Sequence, residues 1–393
     1  MPAADSRELD IVLLGATGFT GGLTAEYLAQ HAPPGLRWGI AGRNEVKLAK
    51  VREKLASIDS ACKELPLLVA DSGDPASLDA LATRTRVLAT TVGPYQQHGD
   101  PIVAACARAG TDYLDITGEP EFVDRTWLAH HETAVASGAR LVHACGFDSV
   151  PHDLGARYTV HQLPEGEPIT LRGVVRSNAA FSGGTFHSAI GAFARGRQMQ
   201  QAARDRRAAE PRPEGRRSRG VVQRPHRDRD LGVWLVPLPT LDPFVVARSG
   251  AALERYGPDF RYSHYAGVKK LPYAVGGALG AMALMGAVQV PPLRRAVLSR
   301  IEPGQGPSPQ RRAKSWFSVD FFGEAGGAQV HTRVSGGDPG YTETSKMLAE
   351  AALSLALDDN PETAGQVTTA VAMGENLTRR LAESGMTFEV VSR

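Results

Sequence analysis

A glycine-spaced turn near the start of the chain constrains its fold more than any other feature. Residues 10–21 read Asp-Ile-Val-Leu-Leu-Gly-Ala-Thr-Gly-Phe-Thr-Gly, an apolar strand that runs directly into a helix start. Gly15 permits the tight turn, Gly18 lets the backbone approach a ligand without a Cβ, and Gly21 lets the helix pack closely on the sheet. The N–H groups and the positive dipole end of that helix suit a pyrophosphate. The motif therefore predicts a dinucleotide site.

The flanking residues separate this interpretation from a glycine-rich turn that binds nothing. Glycine triplets arise by chance in a chain with 42 glycines, and the first gap here is one residue longer than in the usual fingerprint. An apolar run precedes the turn, however, and residues 23–31 are compatible with a helix. The predicted phosphate contacts are Gly15, Ala16, Thr17, Gly18, Phe19, Thr20 and Gly21.

Strand-like and helix-like segments alternate over the first 152 residues. Apolar runs typical of buried strands are separated by stretches with a helical pattern. The predicted strands are 10–14, 36–41, 65–70, 86–92, 113–116 and 140–144, and the predicted helices are 23–31, 45–57, 75–83, 101–109 and 121–137. This alternation predicts an α/β fold, a doubly wound parallel sheet of the NAD(P)-binding Rossmann type over residues 1–152.

The pattern changes in the second part of the chain. Residues 169–176, 317–322 and 329–334 alternate polar and apolar side chains, which predicts a largely antiparallel sheet. We therefore expect a second, α+β domain over residues 153–340 that carries the substrate. Residues 341–393 contain a predicted helix at 341–357 and a short strand at 386–391, and the sequence leaves open which sheet this tail joins.

Composition excludes several classes of protein. A net charge of +2 and 22% charged residues give no indication of a nucleic-acid binder. The three cysteines, Cys62, Cys106 and Cys145, are scattered, which disfavours a disulfide framework and a zinc site, so we expect no metal. The first residues lack the pattern of an export signal. These features predict a cytoplasmic protein.

Two segments depart from a globular pattern. Residues 195–229 contain about a dozen arginines among Pro, Gly and Glu. They predict a solvated surface loop or a docking patch for an acidic partner, such as an acyl carrier protein or the phosphates of coenzyme A. Residues 271–293 carry no charge. Their Gly, Ala and Pro content favours a buried or subunit-interface helix, as in a homodimer, over peripheral membrane contact, and a membrane span is least favoured.

The residue after the second strand decides the choice of nicotinamide cofactor. An acidic residue there would bind both ribose hydroxyls of NAD, but Arg43 occupies the position. A guanidinium can hold a 2′-phosphate with two hydrogen bonds, so the sequence favours NADP, with Lys47 as a second cation. The competing interpretation is that Arg43 is a solvated surface residue and Glu45 reaches the ribose.

Later strand ends supply the other predicted cofactor contacts. These are Asp71, Thr91, Gly93, Pro94 and Gly118. Tyr95 is a candidate proton donor or ring-stacking residue, and an ordinary packing role is at least equally favoured. Glu119 would contact the cofactor or substrate, or cap the helix at Glu121.

Several motifs occur in order along the chain. They are Gly-Ala-Thr-Gly-Phe-Thr-Gly at 15–21, Ala-Gly-Arg at 41–43, Val-Gly-Pro-Tyr at 92–95, Asp-Ile-Thr-Gly-Glu at 115–119, Cys-Gly-Phe-Asp-Ser-Val-Pro at 145–151, Ser-Gly-Gly-Thr at 182–185 and Gly-Asp-Pro-Gly-Tyr at 337–341. Together they resemble the saccharopine dehydrogenase-like oxidoreductases, with the closest likeness to the trans-acting enoyl reductase branch of actinobacteria. The resemblance covers nearly the whole chain.

The resemblance implies an NADP-type Rossmann domain, an α/β substrate domain, and reduction of a carbon–carbon double bond on a polyketide or lipid acyl intermediate held by a synthase. Residues 195–229 would then meet an acidic carrier, and 271–293 a long acyl chain. The sequence departs from the family at 367–370, where Val-Thr-Thr-Ala replaces an expected Thr-Pro pair, and in its heavier arginine run. The chain lacks the arginine set that clamps the carboxylates of saccharopine, which disfavours amino-acid chemistry.

Enoyl reduction needs a proton donor as well as a hydride. The hydride adds at the β-carbon, the enolate requires hydrogen-bond donors, and the α-carbon takes up a proton. We rank Tyr341 first as donor and His187 second, with Tyr95 as a third candidate; Ser149 and His152 also lie near the predicted domain junction. Asp148 is expected to accept backbone N–H bonds at its turn. The alternatives are an enzyme acting on a C=N bond or an amino acid, and a non-catalytic NADP-binding regulator.

Overall fold

A seven-stranded parallel sheet forms one half of the computed structural model, which describes residues 7–179, 195–270 and 306–393, together with Pro272, Gly276 and Gly280. Its strands are β1 Leu9–Leu14, β2 Trp38–Gly42, β3 Leu67–Val69, β4 Thr85–Thr90, β5 Asp112–Asp115, β6 Arg140–Val142 and β14 Gly365–Val367. They lie in the order β14-β6-β5-β4-β1-β2-β3, and each pairing is parallel. The predicted doubly wound sheet is confirmed, and β14 extends it at one edge.

Alternate residues of β1 pack on opposite faces of this sheet. Ile11 and Leu13 belong to one buried cluster, whereas Val12 and Leu14 belong to another. Because helices cover both faces, the strand reads as a continuous apolar run rather than an alternating one. The helices that connect the first six strands are α1 Phe19–His31, α2 Glu45–Ala56, α3 Pro75–Arg84, α4 Tyr95–Ala109 and α5 Pro120–Ser137, with a 3₁₀ turn at Ser60–Glu64.

The order of the strands reverses between β1 and β4. From β1 the chain proceeds through β2 to β3 in one direction, then crosses back to β4 and continues through β5 to β6 in the other. At such a switch point the flanking loops diverge and leave a crevice beyond the carboxyl ends of the strands, where ligands bind in this class of sheet. The predicted site therefore falls at this crevice.

A second, mixed sheet forms the other half. Its strands are β7 Ile169–Ser177, β8 Arg217–Gly220, β9 His226–Arg227, β10 Trp234–Pro237, β11 Asp259–Val268, β12 Phe317–Ala325, β13 Ala328–Gly336 and β15 Thr387–Ser392. The main path runs β15-β13-β12-β7-β11-β10-β9, and β8 pairs with β11 beside it. The pairings of β11 with β7 and β8 are parallel and the other described pairings are antiparallel. Each alternating segment named from the sequence is a strand of this sheet.

The C-terminal tail joins both halves. The remaining helices are α6 Val150–Val160, α7 Gly196–Ala209, α8 Asp242–Ala252, α9 Pro309–Arg312, α10 Thr342–Leu357, α11 Thr369–Ala372 and α12 Gly374–Glu383, with a 3₁₀ turn at Glu254–Tyr256. Helix α10 packs against α1 and across β4. Strand β14 joins the parallel sheet and β15 joins the mixed sheet. The attachment that the sequence left open is therefore to both sheets.

The arginine-rich stretch is more ordered than the sequence predicted. A loop was expected at 195–229, but α7, β8 and β9 lie within it, so that expectation is wrong for these elements. Arg206 is buried, with ion pairs to Asp124 at 3.3 Å and to Glu210 at 2.7 Å. Arg195 pairs with the buried Glu121 at 2.6 Å. Carboxylates on α5 therefore anchor α7, because paired guanidinium groups can be buried where isolated ones cannot.

The uncharged segment 271–293 lies outside the described residues, apart from three isolated positions. The predictions of an interface helix, a membrane contact or an acyl-chain contact there stay predictions. Among the helices that the structure does describe, none combines the length and apolar character needed to cross a bilayer.

Candidate functional site

The turn between β1 and α1 has the geometry of a phosphate cradle. Gly15 adopts a φ of +95°, and its N–H donates to the Ala41 oxygen at 2.9 Å. The Gly18 N–H donates to the Gly15 oxygen at 2.9 Å, and α1 begins at the next residue. The N-cap is Gly18, which has no side chain that could cap the helix, and Thr17 and Gly18 are exposed. The N–H groups at the start of α1 therefore face an open crevice, which suits an anionic ligand.

Each glycine of the motif has a separate structural role. A Cβ at Gly21 would lie 2.2 Å from the Gly15 oxygen, so only glycine allows α1 to sit this close to the turn. A Cβ at Gly15 would lie 2.8 Å from Thr91 Oγ1. At Gly18 a Cβ would meet the Gly15 oxygen at 3.3 Å and no other described atom within 4 Å. Gly18 therefore leaves free space on the crevice side, as its predicted role requires.

The loop after β4 lies directly beside this cradle. Thr91 Oγ1 donates to the Gly15 oxygen at 3.2 Å, and the Thr91 N–H donates to the Leu14 oxygen at 3.0 Å. Gly93 is exposed and Pro94 half-buried just beyond. The predicted contacts Thr91, Gly93 and Pro94 therefore share one rim with the first turn.

Cationic side chains stand at the end of β2. Arg43 directly follows the strand and is exposed, as is Lys47 in the first turn of α2. Asn44 caps this helix by accepting a hydrogen bond from the Lys47 N–H at 2.9 Å. Neither cation forms an ion pair with any residue in the described ranges. A helix N-terminus flanked by two available cations favours a bound phosphate, although Glu45 is also exposed there.

Two further predicted contacts follow β3 and β5. The half-buried Asp71 accepts a hydrogen bond from the Gly73 N–H at 2.9 Å, so its carboxylate shapes the turn after β3. A Cβ at Gly118 would lie 2.8 Å from Asp148 Oδ2, so the Asp148 carboxylate packs closely on the backbone of the loop that follows β5. Both residues lie at the carboxyl edge of the sheet, where the crevice is.

Tyr95 has the environment of a packing residue. Its hydroxyl donates to the Thr90 oxygen at 3.0 Å and accepts from the Ile116 N–H at 3.3 Å. Burial and the nearby Asp115 raise the pKa of this phenol well above its usual value. The structure therefore favours the packing alternative over proton donation.

Glu119 accepts hydrogen bonds from the N–H groups of Tyr95 and Gln96, so it caps α4 rather than the helix that follows it in sequence.

The first-ranked donor, Tyr341, lies against the cradle. It immediately precedes α10, and its ring packs edge-on to Phe19 with centroids 4.9 Å apart. Ser345 Oγ, one turn later in the same helix, donates to the Thr20 oxygen at 3.2 Å. The start of α10 is thus held on the start of α1. His187, the second-ranked donor, lies outside the described residues.

Comparison with known proteins agrees with this geometry. Residues 11–142 match the model of the saccharopine dehydrogenase NADP-binding domain family. A protein of Mycobacterium tuberculosis named as a candidate trans-acting enoyl reductase is 39% identical, with 98% of each chain covered. A trans-acting enoyl reductase of Mycobacterium ulcerans is 36% identical, with 97% of each covered. This chain belongs to the saccharopine dehydrogenase-like family. The resemblance inferred from the sequence motifs is confirmed.

A solved structure supports the fold of this family member over its full length. The apo saccharopine dehydrogenase (L-Glu forming) of Saccharomyces cerevisiae superposes with a TM-score of 0.57, covering 98% of this chain and 100% of that one. At 11% identity the likeness concerns the fold alone. The family's NADP-binding domain, at residues 11–142, contains every predicted cofactor contact, whereas Tyr341 and His187 lie beyond it.

Sequence reasoning missed a buried polar cluster where the two sheets meet. It contains His152 of α6, Asp242 of α8 and His264 of β11, and only His152 stood among the sequence candidates. No spacing pattern in the sequence indicates that three such distant segments come together.

Asp148, expected to accept backbone N–H bonds, accepts no hydrogen bond at its carboxylate from the described residues, which corrects that expectation. Burial raises the pKa of Asp148 to about 6.

Replacing Gly18 by valine tests the cradle. The backbone at Gly18 has φ −80° and ψ 169°, which valine can adopt, so we expect the melting temperature to shift by less than about 3 °C. The new side chain would occupy the crevice side of the turn, and we expect NADPH affinity to fall on the order of 10- to 100-fold in calorimetric titration.

Gly22→Ala is the matched control. A Cβ at Gly22 meets only the Ala16 oxygen, at an ordinary 3.7 Å. This variant should bind NADPH normally. Wild-type affinity in Gly18→Val would contradict the assignment of the cradle.

Proposed function

We propose that this protein uses NADPH to reduce the carbon–carbon double bond of an α,β-unsaturated acyl thioester, a polyketide or lipid intermediate. The observation that carries the proposal is full-length identity of 35–39% to proteins named trans-acting enoyl reductases, combined with an open phosphate cradle at the sheet's switch point. Identity across both sheets supports a shared reaction better than a shared cofactor domain alone would.

The proposed reaction requires the protein to position the cofactor against the substrate and to supply one proton. When bound, NADPH would supply the hydride for the β-carbon, and Thr91, Gly93 and Pro94, which lie beside the first turn, would line its path out of the cradle. The α-carbon then needs a proton. Tyr341 is our first donor, because it borders the cradle through Phe19 and sits between a loop and a helix start. His187 remains the second candidate.

A substrate panel tests the reaction. Purified protein is mixed with NADPH and with enoyl thioesters of pantetheine and coenzyme A, then with cyclic imines, while the absorbance of the reduced nicotinamide is followed. We expect oxidation with the enoyl substrates, and with deuterated NADPH we expect the label on the β-carbon by mass spectrometry. Turnover with imines alone would support C=N chemistry instead. Saturable NADPH binding without turnover on either class would support the non-catalytic regulator.

The cofactor preference depends on Arg43 in this proposal. We expect Arg43→Asp to weaken NADPH binding on the order of 10- to 100-fold and to leave NADH binding nearly unchanged, because a charged hydrogen bond to the 2′-phosphate is lost. Lys50→Asp, at an exposed position on helix α2, makes a similar charge change away from the strand end and should leave both affinities intact. Equal losses for NADPH and NADH in Arg43→Asp would count against a 2′-phosphate contact.

We also propose that the substrate arrives on an acidic carrier protein that docks on the arginine-rich surface. We define this surface as the exposed arginines of residues 195–229 that form no ion pair with any described residue. They are Arg197, Arg204, Arg207, Arg212, Arg217, Arg224, Arg227 and Arg229. The neighbouring arginines have internal roles, since Arg216 donates to the Gly250 oxygen and Arg219 pairs with Asp259. Exposed cations on elements anchored in this way offer a fixed pattern to an acidic partner.

Charge reversal at Arg204 and Arg207, both exposed on α7, tests this docking. We expect the double Glu variant to raise KM for a carrier-bound enoyl substrate about 10-fold at low salt, with kcat/KM for the pantetheine substrate unchanged. The control is Lys50→Glu with Lys63→Glu, which changes the net charge equally at exposed positions elsewhere. An identical KM for carrier-bound substrate in both double variants would show that these arginines are solvated and do not bind the carrier.

A further inference from the structure

Three side chains from distant parts of the chain converge where the two sheets meet. His152 lies in the first turn of α6, Asp242 begins α8, and His264 lies in β11. Their exposed fractions are 1%, 3% and 5%. Two imidazoles and one carboxylate in an enclosed position form a donor set that transition metals prefer.

The distances between the donor atoms fit one bound ion. His152 Nε2 lies 3.2 Å from Asp242 Oδ1, and His264 Nε2 lies 3.6 Å from Asp242 Oδ2. A donor atom from each residue lies within 4.8 Å of the other two. Tetrahedral zinc with bonds of about 2.0–2.2 Å separates neighbouring donors by about 3.3–3.6 Å. The two distances between the carboxylate oxygens and the imidazole nitrogens match this separation.

Hydrogen bonding within the described residues leaves this cluster unsatisfied. Asp242 Oδ1 and His264 Nε2 are both buried without a hydrogen-bond partner there. Buried polar atoms of this kind are rare in native proteins unless water or an ion satisfies them. Both atoms belong to the pairs whose distances fit a bound ion, so one ligand would satisfy both.

A neighbouring residue orients one of the imidazoles. The Tyr262 hydroxyl lies 2.9 Å from His264 Nδ1, the ring nitrogen that does not face Asp242. Metal-binding histidines characteristically form such a bond through their second nitrogen, which fixes the ring and leaves the first free to coordinate. The rings of His152 and His264 also pack edge to face with centroids 4.9 Å apart.

The charge balance points in the same direction. No lysine or arginine pairs with Asp242 in the described ranges, where its ion-pair partners are His152 and His264, and a second carboxyl, that of Asp148, lies nearby. A divalent cation would supply the positive charge that these carboxylates lack.

We propose that His152, Asp242 and His264 bind one divalent transition-metal ion, with zinc the best match, and leave a fourth position for water or another oxygen ligand. The competing state is a metal-free cluster in which a protonated Asp242 donates to an imidazole. The cluster shares no residue with the phosphate cradle, so the proposal stands whether or not the reductase reaction proposed above is correct.

Metal titration of the full-length, tag-free protein tests the site. After treatment with a chelator and dialysis, we expect one Zn²⁺ per chain by calorimetry and a visible absorption spectrum of tetrahedral type with Co²⁺. A near-ultraviolet thiolate band would place the ion at a cysteine, and no saturable binding would favour the protonated cluster. Either result overturns the proposal.

Variants locate the bound ion. We expect His264→Ala to weaken Zn²⁺ binding about 100-fold or more and Tyr262→Phe, which removes only the orienting hydroxyl, about 10-fold. His161→Ala, at the end of α6 and outside the cluster, is the matched control and should bind normally. NADPH affinity, measured on the same samples, should stay unchanged and report that each variant is folded. Wild-type metal affinity in folded His264→Ala would overturn the assignment.

Discussion

The contact between the turn after β1 and the start of α1 is the constraint on which the rest of this structure depends. A Cβ at Gly21 would lie 2.2 Å from the Gly15 oxygen, so the helix can approach the sheet only where side chains are missing. The same oxygen accepts a hydrogen bond from Thr91, which fixes the loop after β4 beside the turn. One crevice is thus bounded by two strand ends and one helix N-terminus.

The tail of the chain connects this crevice to the second sheet. Helix α10 lies on α1, and its first residues meet the cradle through Tyr341 and Ser345. Beyond α10 the chain adds β14 to the parallel sheet and β15 to the mixed sheet. One C-terminal segment therefore contacts the cradle and contributes a strand to each sheet. Such a connection suits a protein whose proposed reaction needs cofactor and substrate at a fixed separation.

Buried carboxylates in this fold have two kinds of environment. Glu121, Asp124 and Asp320 are paired with arginines, and those ion pairs anchor α7 and join strands of the mixed sheet. Asp242 instead faces two imidazoles, with no arginine or lysine paired to it in the described ranges. Since a buried charge requires compensation, the second environment calls for a proton or a cation. That contrast motivates the metal site proposed at the cluster.

The sequence by itself determined the features that depend on neighbouring residues. The glycine spacing after β1, the alternation of strands and helices, and Arg43 at the end of β2 are local patterns, so the parallel sheet and the position of its crevice followed from them. Only the tertiary structure decided that Tyr95 uses its hydroxyl for backbone contacts, that Arg206 is buried against α5, and that His152 meets Asp242 and His264. These outcomes depend on which distant elements pack together, and no local pattern encodes the identity of a distant partner.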